Sequence, residues 1–185
     1  MFFDQVNINS ITVAGTSVKF SDDPVRNLGV IFDSQLSMKP HIRSVVKSGY
    51  FHLRNISLAR KQLTKDATRS LTEALVLSRL DYGNSLLSGI SDELLQKLQV
   101  LQNSAARLVT KTPRRAHISP VLRELHWLPV RARIYFKVLY LVFKALHAEA
   151  PQYLSELIHT YVPPRSLRSQ NKGMLTEPVV ELSQT

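Results

Sequence analysis

Two hydrophobic periods divide the chain. Up to Asp33, the apolar residues Ile8, Ile11, Val13, Val18 and Phe20 fall among Ser, Thr and Asn, which is strand chemistry. Ala14-Gly15 and Ser21-Asp22-Asp23-Pro24 supply turn signals, and Val30-Ile31-Phe32 reads as a short buried strand. So few strands cannot bury their own faces, so they are expected to pack on the helices that follow. After Asp33 the period becomes helical. Ile42, Val45, Val46, Leu53 and Ile56 mark a first amphipathic helix that leaves Lys39, Arg43, Lys47 and Arg54 to solvent. Thr64 is the expected N-cap of a second helix with the stripe Ala67, Leu71, Leu75 and Tyr82. Ser91 caps a third, with Asp92 and Glu93 where the helix dipole favours negative charge and Leu94, Leu98, Leu101, Ala105 and Leu108 as its stripe.

Pro113 and Pro120 bracket a basic connection, and Pro129 precedes a long apolar helix from about Val130 to Ala148. Pro151 opens a last short helix through Tyr153, Leu154, Leu157 and Ile158. Beyond Pro163-Pro164, large apolar residues are few. The expected fold class is mainly α: a small N-terminal β element of two or three short strands, then a bundle of about five helices. The expected organisation is a β element over 1–35, a helical domain over 36–160 and an extended or flexible tail over 161–185.

Composition adds bounds. With 185 residues, 44% of them hydrophobic, the chain can build a core, and wholesale disorder is not expected. A formal net charge of +10 favours polyanionic partners. The absence of cysteine excludes disulfides and thiolate metal sites and fits an intracellular setting, nucleus or cytoplasm. Met1-Phe2-Phe3 is followed at once by Asp4 and polar residues, so no signal peptide is expected. The apolar run Ile134 to Leu146 is interrupted by Lys137 and Lys144 and falls short of the ~20 residues a membrane span needs. It is expected to be a buried helix, and no membrane partner is expected.

Charge concentrates in two segments. The first carries Lys39, Arg43, Lys47, Arg54, Arg60, Lys61, Lys65 and Arg69 against one acid, Asp66. The second carries Arg107, Lys111, Arg114, Arg115, Arg123, Arg131, Arg133 and Lys137 against Glu124, with Trp127, Tyr135 and Phe136 interleaved. Cationic side chains commonly do no more than solvate helix faces. The alternative is contact with a phosphate backbone. For that role the candidates are Arg107, Lys111, Arg114, Arg115, Arg131, Arg133 and Lys137, with Arg43, Lys47 and Arg54 from the first segment. Arg114 and Arg115, on a proline-bounded loop, are the best placed, and Arg107 and Lys111, one turn apart, are expected to share a face with them. Trp127 is expected to anchor the core, and Tyr135 and Phe136 to help bury the long helix.

Six stretches carry a resemblance: RNLGVIFDSQLSMKPHI (26–42), ALVLSRLDYGNSLLSG (74–89), LQVLQNSAARLVT (98–110), HISPVLRELHWLPVRARIYFK (117–137), APQYLSELI (150–158) and YVPPRSLRS (161–169). In order and spacing, they resemble the carboxy-terminal part of non-LTR (LINE-type) retrotransposon reverse transcriptases of the jockey-like and related clades. Gly83 departs from the cysteine that many relatives carry in their DYCN segment. The resemblance implies that Leu28-Gly29-Val30 and Asp33 belong to the last strand of the polymerase palm, and that the helices form the thumb, which grips a template–primer duplex of RNA or DNA. It further implies a chain that starts after the catalytic carboxylates, a fragment or remnant of a polymerase whose parent enzyme uses Mg²⁺.

Phe20-Ser21-Asp22-Asp23 matches the F-x-D-D signature of reverse transcriptases literally. Two-metal phosphoryl transfer needs a further carboxylate from another strand, the ions lying about 3.5–4 Å apart. The only earlier acid is Asp4, and Pro24 follows directly, where strand interiors tolerate proline poorly. The turn reading is preferred. The six histidines show no HExxH pattern, and no P-loop or GxGxxG occurs. No catalytic residue and no cofactor are therefore expected. The expected function is non-specific nucleic-acid binding by a catalytically incomplete thumb. The alternatives are an enzyme completed by a second chain, a helical interaction module with an exposed apolar face along Phe136, Leu139 and Phe143, and a remnant without function.

Overall fold

The computed structural model describes residues 10–13, 16–19, 21–163, 165 and 174–176. It is mainly helical. The strands form two separate antiparallel pairs. β1 (Ser10–Val13) pairs with β2 (Thr16–Lys19), and β3 (Val25–Asn27) with β4 (Val30–Phe32). Asn27 stands opposite Val30, so Leu28-Gly29 is a two-residue turn, with φ of +46° and +87°. Positive φ at both central residues matches the right-handed twist of the flanking strands, and Gly29 takes it without steric cost. β3 has no signature in the sequence because every one of its residues is exposed; the ladder to β4 alone defines it.

The chain divides into two compact units, one comprising Met1–Gly83 with Gly89–Val130, the other Asn84–Ser88 with Arg131–Thr185. In the first, Asp33 anchors the lead-in to α1 (Lys39–Ala59), whose N-cap residue Met38 makes no side-chain capping bond. The Asp33 carboxylate accepts the Met38 amide at 2.9 Å, the Ser37 amide at 3.1 Å and the Ser37 hydroxyl at 2.7 Å. These bonds hold the Asp33 pKa below its ordinary value, the Ser37 hydroxyl contributing most. α1 buries Ile42, Gly49, Leu53 and Ile56. A Cβ on Gly49 would lie 2.5 Å from a Leu101 methyl, so this glycine lets α1 touch α4 (Asp92–Thr110) backbone to side chain. Arg60 donates to the carbonyls of Leu108 and Val109 at the other end of the contact, so the two helices run parallel.

Between them the chain returns through α2 (Lys65–Thr72), a π turn (Glu73–Leu77) and α3 (Ser78–Asp81). Thr64 caps α2, accepting the Ala67 amide at 3.1 Å. The expected stripe of Ala67, Leu71, Leu75 and Tyr82 is displaced by one position: Thr68, Thr72, Val76, Leu77 and Leu80 are buried, and Leu71 and Tyr82 are exposed. Threonine goes inward because each hydroxyl bonds back to a carbonyl one turn earlier, Thr68 to Thr64 and Thr72 to Thr68, both at 2.7 Å. The α4 stripe follows the pattern through Leu94, Leu98, Leu101 and Ala105, then ends on Val109 rather than Leu108. α5 (Ser119–Glu124) forms inside the basic connection. Trp127 is buried there as expected, its indole donating to Glu73 at 3.0 Å.

In the second unit, α6 (Val130–Leu146) overturns the expectation of a buried helix. Ile134 and Ala145 are buried, but Tyr135 is 53% exposed, Phe136 60%, Leu139 65% and Phe143 51%. α6 is apolar nearly all round, and its neighbours cover one strip of it. The exposed rings stack instead on residues one turn on: Phe136 on Tyr140, with centroids 6.2 Å apart, and Phe143 on His147 at 4.0 Å. α7 is confined to Gln152–Ser155, with Tyr153 and Leu157 exposed. Thr160 bridges to Leu175, and the rest of the expected tail falls largely outside the described residues.

Candidate nucleic-acid interface

α1 presents its charge in one stripe. Lys39, Arg43 and Lys47 follow at intervals of four, and Arg54 lies seven further on, so all four project from one side. The buried residues occupy the opposite side. At 1.5 Å per residue the stripe is roughly 22 Å long. All four cations are exposed, and none makes a hydrogen bond or ion pair among the described residues. Tyr50, also exposed, stands within the stripe between Lys47 and Arg54. Lys39 and Tyr50 were missing from the sequence candidates, although the four-residue spacing of Lys39 was there to be read.

The amino-terminal half of the stripe borders a groove of about 540 Å³, lined across from it by Glu93, Leu94 and Lys97 of α4. Glu93 is already neutralised. Lys97 bonds it at 2.7 Å and, with the charge of Lys39 adding a smaller share, holds its carboxyl below the usual range. Three other cations of the first basic segment serve the fold. Arg60 donates to three carbonyls, Lys65 pairs with Glu124 at 2.7 Å, and Arg69 pairs with Glu73 and reaches the Leu125 carbonyl.

The second segment is split the same way, and three expectations change. Arg107 donates to the carbonyls of Pro113 and Ala116 at 2.5 and 2.9 Å, so it ties down the loop that carries Arg114 and Arg115. Lys111 does not share a helical face with it. α4 ends at Thr110, and Lys111 turns into the left-handed region with φ of +57°. Arg131 and Arg133 are each engaged by other groups of the fold. Arg114 and Arg115 are exposed without a side-chain partner among the described residues, as is Lys137 in the second unit. Because α1 and α4 run parallel, the Arg114-Arg115 loop follows the same end of the helix pair as Arg54.

Ser21 to Pro24 form an exposed link ahead of β3. There the Ser21 hydroxyl donates to Asp23 at 2.8 Å and accepts the Asp23 amide at 3.0 Å. Among the described residues no three acidic or histidine side chains gather, and no helix is long and apolar enough to cross a membrane. No family model, curated protein or solved structure matches the chain.

Proposed function

We propose that this chain is a helical nucleic-acid-binding module that grips a phosphate backbone without reading sequence, and that it does not polymerise by itself. The observation that carries the reading is the α1 stripe of Lys39, Arg43, Lys47 and Arg54, exposed along roughly 22 Å and without an ion pair among the described residues, the one acid across its groove, Glu93, being paired with Lys97. Arg114 and Arg115 form a second contact, which Arg107 holds in place. The resemblance to the carboxy-terminal part of non-LTR reverse transcriptases supports it, since a thumb would meet a template–primer duplex of RNA or DNA in this way. Asp22 and Asp23, in their exposed link, take no part. Such a module works where nucleic acid is, in the nucleus or cytoplasm.

The test is an anisotropy titration with a labelled RNA–DNA duplex. The log of affinity is expected to fall with the log of salt by about 0.9 per phosphate contact, measured between about 50 and 200 mM. Charge reversal at Arg43, Lys47 and Arg54 together is expected to lower affinity at least tenfold and flatten that slope. No binding at low salt, or binding indifferent to the reversal, refutes the proposal. Primer extension by the purified chain, lost on replacing Asp22 or Asp23, would refute the non-catalytic half.

A second reading, a protein-interaction module, draws on the exposed Phe136, Leu139 and Phe143 of α6. It predicts tight association with a helical partner through that face and no salt-dependent binding of nucleic acid.

A further inference from the structure

A second cationic feature lies off the α1 stripe. Between the β3–β4 hairpin, the first half of α1 and the start of α3 is a cleft of about 370 Å³, within the range of small-ligand pockets, about 300–1,000 Å³. Arg26 enters it from β3 and Arg79 from α3, with Ser44 and Ser48 one turn apart on α1 and Ser78 beside Arg79. Among the described residues no carboxylate lines it. Arg79 donates its Nε to the Leu75 carbonyl at 3.2 Å, which fixes the side chain and leaves its terminal nitrogens for the cleft. Arg26, Ser44 and Ser48 have no side-chain hydrogen bond among the described residues.

His41 completes the wall and is 6% exposed. Its Nδ1 accepts the Ile31 amide at 3.4 Å, which places the ring proton on Nε2 as a donor. Burial, with the charge of Arg26 added, holds the imidazole pKa below 6.5 and keeps the ring neutral. At the lip, the Tyr82 hydroxyl donates to the Leu28 carbonyl, and its ring closes on Gly29, where an added Cβ would meet it at 3.2 Å. Two guanidinium groups facing one cleft repel unless an anion stands between them. The Ser44 and Ser48 hydroxyls of α1 and a neutral imidazole then complete an oxyanion's hydrogen bonds, the Ser78 hydroxyl being held by the Ala74 carbonyl.

We propose that this cleft binds a phosphomonoester, the doubly charged end group carried by a free nucleotide or by a 5′-phosphorylated strand. A backbone diester brings one charge per phosphate in a row, which suits an open stripe; a terminal monoester brings two charges to one point, which suits two arginines converging from separate elements. The inference goes beyond backbone binding and stands or falls without it, because Arg43 and Lys47 do not line the cleft.

The experiment is an NMR titration of the whole chain with inorganic phosphate, then with adenosine monophosphate, and with a trinucleotide bearing either a 5′-phosphate or a 5′-hydroxyl. Saturable amide shifts at Gly29, Ser44 and Ser48 are expected, with Arg26→Ala and Arg79→Ala each weakening binding about tenfold, the loss of one charge-assisted contact. Arg43→Ala/Lys47→Ala is expected to leave it unchanged. Tight binding of the monophosphate alone identifies a free nucleotide as the source, and tight binding of the 5′-phosphorylated trinucleotide alone identifies a strand end. Shifts confined to Lys39, Arg43 and Lys47, or no saturation, overturn the proposal. Should either arginine variant fail to fold, Ser48→Glu, which sets a carboxylate inside the cleft, must abolish binding; retained binding also overturns it.

Discussion

α4 and α6 are helices of similar length, 19 and 17 residues, and α6 is the more apolar of the two. Yet α4 is the one the protein buries. Leu98, Leu101, Ala105, Ala106 and Val109 of α4 are shielded almost completely, whereas Phe136, Leu139 and Phe143 of α6 face outward. The difference lies in how the apolar residues are distributed. α4 confines them to a stripe that α1 and the α2–α3 return can cover, and it places Gln99 and Gln102 where their amides are used. Gln102 donates to the Leu128 carbonyl at 2.8 Å, and Gln99 accepts the Val130 amide at 2.9 Å. α6 spreads them round its circumference, more than its neighbours cover. Apolar content makes a helix buriable; a stripe with a matching neighbour buries it.

The contrast can be broken at several points. Leu101→Ala should cost about 2–5 kcal/mol in chemical denaturation, because it empties a fully enclosed site; a loss below that range would mean that α4 is not the centre of its unit. Gly49→Ala sets a methyl against Leu101 and should cost about 1–3 kcal/mol by overpacking. Combining it with Leu101→Ala should recover part of that loss in a double-mutant cycle, and strict additivity would deny that the two residues touch.

A smaller effect comes from His41, buried on the same side of α1. Its folded pKa lies below the ordinary 6.5, so as pH falls through 6.5 the unfolded chain takes up a proton that the folded chain refuses. Stability should therefore decline from pH 7.5 towards pH 5.5, and His41→Gln should flatten the decline; a melting temperature insensitive to that substitution contradicts the assignment. Smallest of all, Leu139→Ser should change stability by no more than about 0.5 kcal/mol, as exposed substitutions do. A larger loss that grows with protein concentration would reveal that this face of α6 is covered by a second copy.

The sequence made the same distinction visible only in part. The α4 stripe was legible because leucine and alanine at intervals of three and four have one helical reading. On α2, leucines at 71 and 75 outweighed threonines at 68 and 72 in any hydrophobic pattern, and the hydroxyl bonds that turn those threonines inward are invisible before the backbone exists. α6 misled for the opposite reason: its pattern was strong, but what covers a helix belongs to the rest of the fold. Charge behaved likewise. Counting cations along the chain picks out two segments, yet it cannot separate Arg43, Lys47, Arg114 and Arg115, which have no side-chain partner among the described residues, from Arg60, Arg69 and Arg107, which serve backbone carbonyls. The cleft between Arg26 and Arg79 was not legible, because its donors come from positions more than fifty residues apart.

The parallel course of α1 and α4 has a consequence for how the gene tolerates change. Helices pointing the same way cannot be joined by a tight turn, so the chain must travel back along the whole of α1, roughly 30 Å at 1.5 Å per residue. α2, the π turn and α3 make that journey as a nearly continuous rod, whose span is a ruler for the meeting of Gly49 with Leu101. Slack added in the non-helical links on either side of the rod costs little, about 0.6 kcal/mol per doubling of a loop. Removing a turn from the rod itself would slide one helix past the other, so deletions there should be far less tolerated than insertions beside it.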